Sequence, residues 1–199
     1  FRSQEVIWGK ESSRQYLGAD WTKNTQVWNN FLDQLLAIPK LQNIHFMGGE
    51  TLLTDRLEQL VDKFIAAQRF DVCFSFVTNG TTFNQSLLDK LKKFQRVGIE
   101  VSIESLMSHN AYQRQGTDTQ LVLSNLERYI EQCNGSGVTL TARPAISALT
   151  IGSYWTLLEY CYNKKIIVKN LLVNTPQFLD VRVLPDQVRS DYIQRYKQL

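Results

Sequence analysis

The 199-residue chain is poor in the residues that usually betray a function. It has three cysteines, Cys73, Cys133 and Cys161, far apart and set among apolar neighbours. Their odd number and wide spacing exclude a disulfide framework and a metal-ligand motif, and predict free thiols packed as small hydrophobes in a reducing cytoplasm. Two histidines, His45 and His109, are too few for a His-rich metal centre. No apolar run approaches the roughly 20 residues that cross a membrane, and no signal or transit segment is visible. G-x-G-x-x-G and Walker loops are absent. A net charge of +3 with scattered basic residues gives no footprint for nucleic acid. The chain starts at Phe1, without methionine, on a polar and irregular stretch, so a missing upstream segment is expected.

What is present is ordinary: 43% hydrophobic and 21% charged residues, enough for one domain over residues 1–199 with a substantial core. Apolar residues recur at helical spacing over Trp21–Ile38, ended by Pro39, and again over Leu53–Phe70 and Phe83–Phe94. Between them lie short apolar runs that read as strands, Asn43–Met47, Val72–Val77 and Gly98–Glu104. A loop with His109, Tyr112 and Arg114 follows, then a helix capped by Thr117 or Asp118 and closed by Asn134–Gly137. Val138–Ile146 and Ile166–Val173 read as further strands around a helix at Ser153–Tyr162, and the end from Pro185 is amphipathic. Five strands alternating with helices imply a parallel sheet with right-handed crossovers, either doubly wound or curled into a partial barrel. In both, ligands bind at the carboxyl ends of the strands.

The strand ends are therefore where chemistry should be sought. In "IHFMGGETLL" (Ile44–Leu53), an apolar strand stops at Gly48, Gly49 and Glu50. Glycines there allow positive φ or close approach of a ligand, and a carboxylate there accepts hydrogen bonds from an ammonium or hydroxyl. A tight turn with a surface glutamate is the competing explanation. Thr78, Asn79 and Gly80 repeat the pattern at the next strand end. Ser102 and Glu104 alternate with Val101 and Ile103, so both point to one face, where a strand buried on two sides should be apolar. Arg114 could pair with a carboxylate. Arg143, sharing a face with Thr141, needs an anion or a buried acid, for which Glu50 and Glu104 are candidates.

Taken in order, "IHFMGGETLL", "FSFVTNGT", "GIEVSIES" with His109 and "YQRQG", "ARPAISALTIGSYWTLLEY" and "NLLVNTPQFLDVRVLP" resemble the second to sixth units of the radical S-adenosylmethionine (AdoMet) superfamily. The resemblance is nearest to phage and marine-microbial members with a twitch-type extension. It implies a parallel-stranded, partial TIM-like (β/α) barrel lacking its first strand. It also implies an AdoMet cofactor, a [4Fe–4S] cluster, an external electron donor, and a 5′-deoxyadenosyl radical that abstracts hydrogen from a substrate, peptides being among the candidates. By the same resemblance Gly48, Gly49 and Glu50 would hold the AdoMet ammonium, Ser102 its carboxylate and ribose, Glu104 the ribose, and Arg114 the carboxylate. Leu172 and Asn174 would line the adenine side, while Thr78, Asn79 and Arg143 would face substrate.

The family's C-x-x-x-C-x-x-C cluster loop is absent from the chain. Truncation just after that loop is the expected cause, which would leave the chain inactive by itself and the Asn43–Met47 strand with an open edge. That edge should be covered by the N-terminal segment or by another molecule, and it invites self-association. Two other readings stand beside this one: a non-catalytic module that binds AdoMet, a nucleotide or a protein on a degenerate barrel, and a sugar-phosphate or dinucleotide enzyme.

Overall fold

The computed structural model describes residues 20–198. Its order follows the sequence pattern: α1 (Thr25–Leu36), β1 (Asn43–Phe46), α2 (Arg56–Ala66), β2 (Cys73–Thr78), α3 (Gln85–Leu91), β3 (Val97–Val101), α4 (His109–Gln113), α5 (Thr119–Cys133), β4 (Val138–Ala142), β5 (Ala145–Ile146), α6 (Ile151–Asn163), β6 (Ile167–Val168), β7 (Leu171–Leu172) and α7 (Asp186–Tyr196). Capping fixes several starts. Asn24, Asn84 and Asp118 accept backbone N–H groups at the heads of α1, α3 and α5.

β1, β2, β3, β4 and β6 form a five-stranded sheet in that order, all parallel, as a βαβ series requires. This is the partial, open (β/α) barrel expected from the sequence. The register puts Phe46, Phe76, Ile99 and Leu140 in one row across the sheet. That face is buried against Leu60, Val61 and Phe64 of α2, Leu88 and Leu91 of α3, Val122, Leu126 and Tyr129 of α5 and Leu157 of α6. The opposite face is polar. His45, Ser75, Gly98 and Thr139 form one row, and Val77, Glu100, Thr141 and Ile167 the next. α7 packs on α6, where Gly152 leaves room for Tyr192 and Tyr196 donates to the Ile151 carbonyl at 2.5 Å.

Four expectations need correction. The strand expected over Gly98–Glu104 ends at Val101, so Ser102 and Glu104 belong to the following loop. The strand over Val138–Ile146 is broken at Arg143–Pro144, because Pro144 has no N–H for a ladder. The strand over Ile166–Val173 breaks at the matching level, Lys169–Asn170, and the chains resume as the short β5–β7 pair. The segment around His109 forms the short helix α4 rather than a loop.

Among the described residues nothing pairs with the outer edge of β1. Beside it lies an apolar slot of about 650 Å³, lined by Trp28, Phe31, Leu35, Ile44 and Phe46 among others. The expected cover from the N-terminal segment falls outside the described residues. No described helix is long and apolar enough to cross a membrane.

Candidate functional site at the carboxyl ends of the strands

The end of β1 is built by backbone conformation. Gly48 and Gly49 have φ of +98° and +56°, which L side chains rarely adopt, and a Cβ on either would touch nothing within 4 Å. The glycines are thus required by the turn and not by crowding, and they leave the strand-end backbone open. The turn delivers Glu50 to the end of β2. Its carboxylate accepts from the Thr78 hydroxyl at 2.7 Å, from the Asn79 N–H at 2.6 Å and from Leu52 N–H at 3.3 Å. Thr51 ties the same turn to the Val77 carbonyl at 2.9 Å.

Thr78 is a junction. Besides bonding Glu50, its carbonyl accepts Ser102 N–H at 2.8 Å, which joins the ends of β2 and β3. Thr78 is 1% exposed, on the same side of β2 as Phe74 and Phe76. The expected substrate-facing role does not suit this placement; its hydroxyl holds Glu50 instead. Asn79 is half-buried, and its Oδ1 folds back onto Thr81 at 2.9 and 2.7 Å. Ser102 is half-buried, with no partner for its hydroxyl among the described residues.

Beyond Ser102, Glu104 is buried and takes a two-pronged ion pair from Arg114, at 2.5 and 2.7 Å. Neither group was paired with the other by the sequence reading. Asn110 completes the loop: it is fully buried and accepts the Glu104 N–H at 3.0 Å. Its Nδ2 has no partner among the described residues.

Arg143 has a carboxylate partner, but it is Glu100 and not Glu50 or Glu104. Glu100 bridges Arg143 at 2.9 Å and Lys169 at 3.0 Å on the polar face. The sequence signal was available, since Glu100 shares the alternation of Ser102. Leu172 and Asn174 are exposed on and just after β7. Glu50, Ser102, Glu104 and Arg114 are thus gathered around the ends of β1, β2 and β3. Arg143 lies at the end of β4, and Leu172 and Asn174 follow β6.

No set of three His, Cys, Asp or Glu side chains among the described residues could hold a metal ion. Cys133 and Cys161 are buried, and burial pushes both thiols up to about 11. The residues here do not fit an iron–sulfur cluster. They do fit the amino-acid end of AdoMet, since an open glycine backbone, a carboxylate, a free hydroxyl and an arginine complement an ammonium and a carboxylate.

No protein-family model and no curated protein matches the chain. Solved structures do. anSMEcpe with bound AdoMet matches at a TM-score of 0.56 and 18% identity, over 74% of this chain and 42% of that one. Streptococcus suis SuiB bound to S-adenosylmethionine matches at 0.53 and 16%, over 78% and 36%. A domain of the pyruvate-formate lyase-activating enzyme from Bacteroides vulgatus matches at 0.52 and 16%, over 77% and 91%. Complexes of the first two with peptides also match: anSMEcpe with a Cp18Cys peptide and SuiB with the precursor peptide SuiA. The likeness is one of fold, and it spans less than half the length of anSMEcpe and of SuiB.

Proposed function

We propose that the chain is the AdoMet-binding barrel of a radical AdoMet enzyme. In this reading the Gly48–Gly49 backbone and Glu50 hold the ammonium, and Ser102 and Arg114 hold the carboxylate. The observation that carries it is the hub at Thr78, which bonds both Glu50 and Ser102 while Arg114 is anchored two residues further on. Glu50 uses three acceptor positions internally, and a carboxylate has about four, so one remains for an ammonium. Leu172 and Asn174 are open to the adenine. Fold neighbours with bound AdoMet support the reading.

In such enzymes AdoMet, cleaved reductively at a [4Fe–4S] cluster, supplies hydrogen-atom abstraction. The cluster ligands and the electron donor lie outside these 199 residues in this proposal, and the chain by itself binds AdoMet without cleaving it. Asn79 and Arg143 face substrate, and a peptide is the candidate class, by analogy with the peptide complexes of the fold neighbours.

Calorimetry with AdoMet tests the site. Binding is expected, and Glu50→Gln should weaken it about tenfold, the size of one charge-assisted hydrogen bond. Absence of heat at millimolar AdoMet would remove the reading. The lack of cluster ligands favours a second one, a module that binds AdoMet without catalysis. Anaerobic iron–sulfur reconstitution of the full-length protein separates the two, because only an enzyme gains the cluster's visible absorption.

A further inference from the structure

Glu104 is the most deeply buried carboxylate of the rim. One oxygen takes Arg114 Nε at 2.5 Å and the other takes Nη2 at 2.7 Å. Its side chain is 3% exposed, against 26% for Arg114. Its backbone N–H is held by Asn110, and the Asn110 carbonyl accepts Arg114 N–H at 2.8 Å. Carboxylate, amide and guanidinium therefore close a frame that fixes the arginine at both its backbone and its head.

A guanidinium carries five N–H donors in a rigid plane. The fork to Glu104 uses two. The remaining three, both on Nη1 and one on Nη2, have no partner among the described residues. They form the second edge of the plane, which matches a carboxylate in two-pronged fashion. Gripping one edge fixes the direction of the other, and the ordering cost is met before a ligand arrives.

We propose that Glu104 is a positioning residue. It does not touch AdoMet; it locks Arg114 so that the free edge of the guanidinium receives the AdoMet carboxylate. This replaces the ribose contact expected from the sequence, and it gives a reason for glutamate: aspartate would stop one methylene short of Arg114. The inference rests on the AdoMet reading above.

The test is calorimetry of the full chain with two probes, AdoMet and decarboxylated AdoMet, which keeps the sulfonium and the ammonium and lacks only the carboxylate. Glu104→Gln should cost about tenfold in AdoMet affinity and leave decarboxylated AdoMet within about twofold of wild type. Should Glu104→Gln not fold, Glu104→Asp keeps the buried charge and should show the same selective loss. In an Arg114→Lys background, adding Glu104→Gln should change AdoMet affinity by less than about twofold, because the fork is already gone. Equal weakening of both probes, or no change in either, would overturn the positioning role while leaving the AdoMet site standing. Failure of the wild-type chain to bind either probe would sink the AdoMet reading itself, and this inference with it.

Discussion

Gly80 and Gly49 both have positive φ, yet a side chain would cost them differently. At Gly49 a Cβ meets open space, so alanine there pays only conformational strain, about 1–2 kcal/mol. At Gly80 the Cβ would also press on Val122 at 3.0 Å and Val101 at 3.1 Å, and the Gly80 carbonyl accepts from buried Asn125 at 2.9 Å. Gly80→Ala should therefore lower the urea midpoint clearly more than Gly49→Ala does, and equal losses would contradict this packing account. The thiols separate in the same way. Cys133 and Cys161 are buried, with few thiolates at neutral pH, while Cys73 is half-buried. Native protein at pH 8 should yield one fast thiol to Ellman's reagent, and Cys73→Ser should abolish that phase. Gly48, Gly49, Glu50 and Ser102 were legible as strand-end positions because each follows closely on the last residue of a strand. The Glu104–Arg114 pair was not, because alternation was extended past Val101, where the ladder has already ended and backbone parity no longer says which way a side chain points.

Among the elements, α2 and α3 are clamped by one lysine. Lys90 reaches Glu58 and Asp62 across the helix pair, both at 2.8 Å. The hydrogen bond from Lys90 holds the Glu58 carboxyl below its ordinary 4.5, and the bonds to Asp62 and Glu58 raise Lys90 above 10.5. The Glu58 contribution is complete above pH 4.5 and fades as pH falls through its lowered folded value. The Lys90 contribution is complete below pH 10.5 and fades as pH rises through its raised folded value. Lys90→Met should cost up to about 1 kcal/mol at pH 7, since these groups are partly solvated. The gap to wild type, measured by urea unfolding, should narrow as pH falls through the lowered Glu58 value; a constant gap would mean that the lysine acts through packing. Helix and strand order was legible because periodicity and caps agree along most of the chain. The break at Lys169–Asn170 was not, because it carries no breaker of its own and departs from the ladder only beside its neighbour at Arg143–Pro144.

For the molecule as a whole, the sheet is open, with β1 at one margin and β6 at the other. β1 pairs with β2 through four residues, and Glu50 adds a side-chain tie from the end of β1 to Thr78 and Asn79. Amide exchange should accordingly be faster in Asn43–Phe46 than in β2 or β3. Saturating AdoMet should slow it there more than in β6, which Glu50 does not reach; uniform slowing would argue that the ligand sits elsewhere. The parallel α/β class was readable from alternation alone, whereas the choice of a partial barrel over a doubly wound sheet came from the resemblance. The site was readable only as positions, since which carboxylate meets which cation depends on register across three strands that no local pattern encodes.

Glu50 moors the outermost strand through Thr78 and Asn79, and in the AdoMet reading proposed above the same carboxylate would also receive the ligand's ammonium. Ligand supply and mechanical soundness would then be a single variable, and limited proteolysis within Asn43–Phe46 should slow when AdoMet is added.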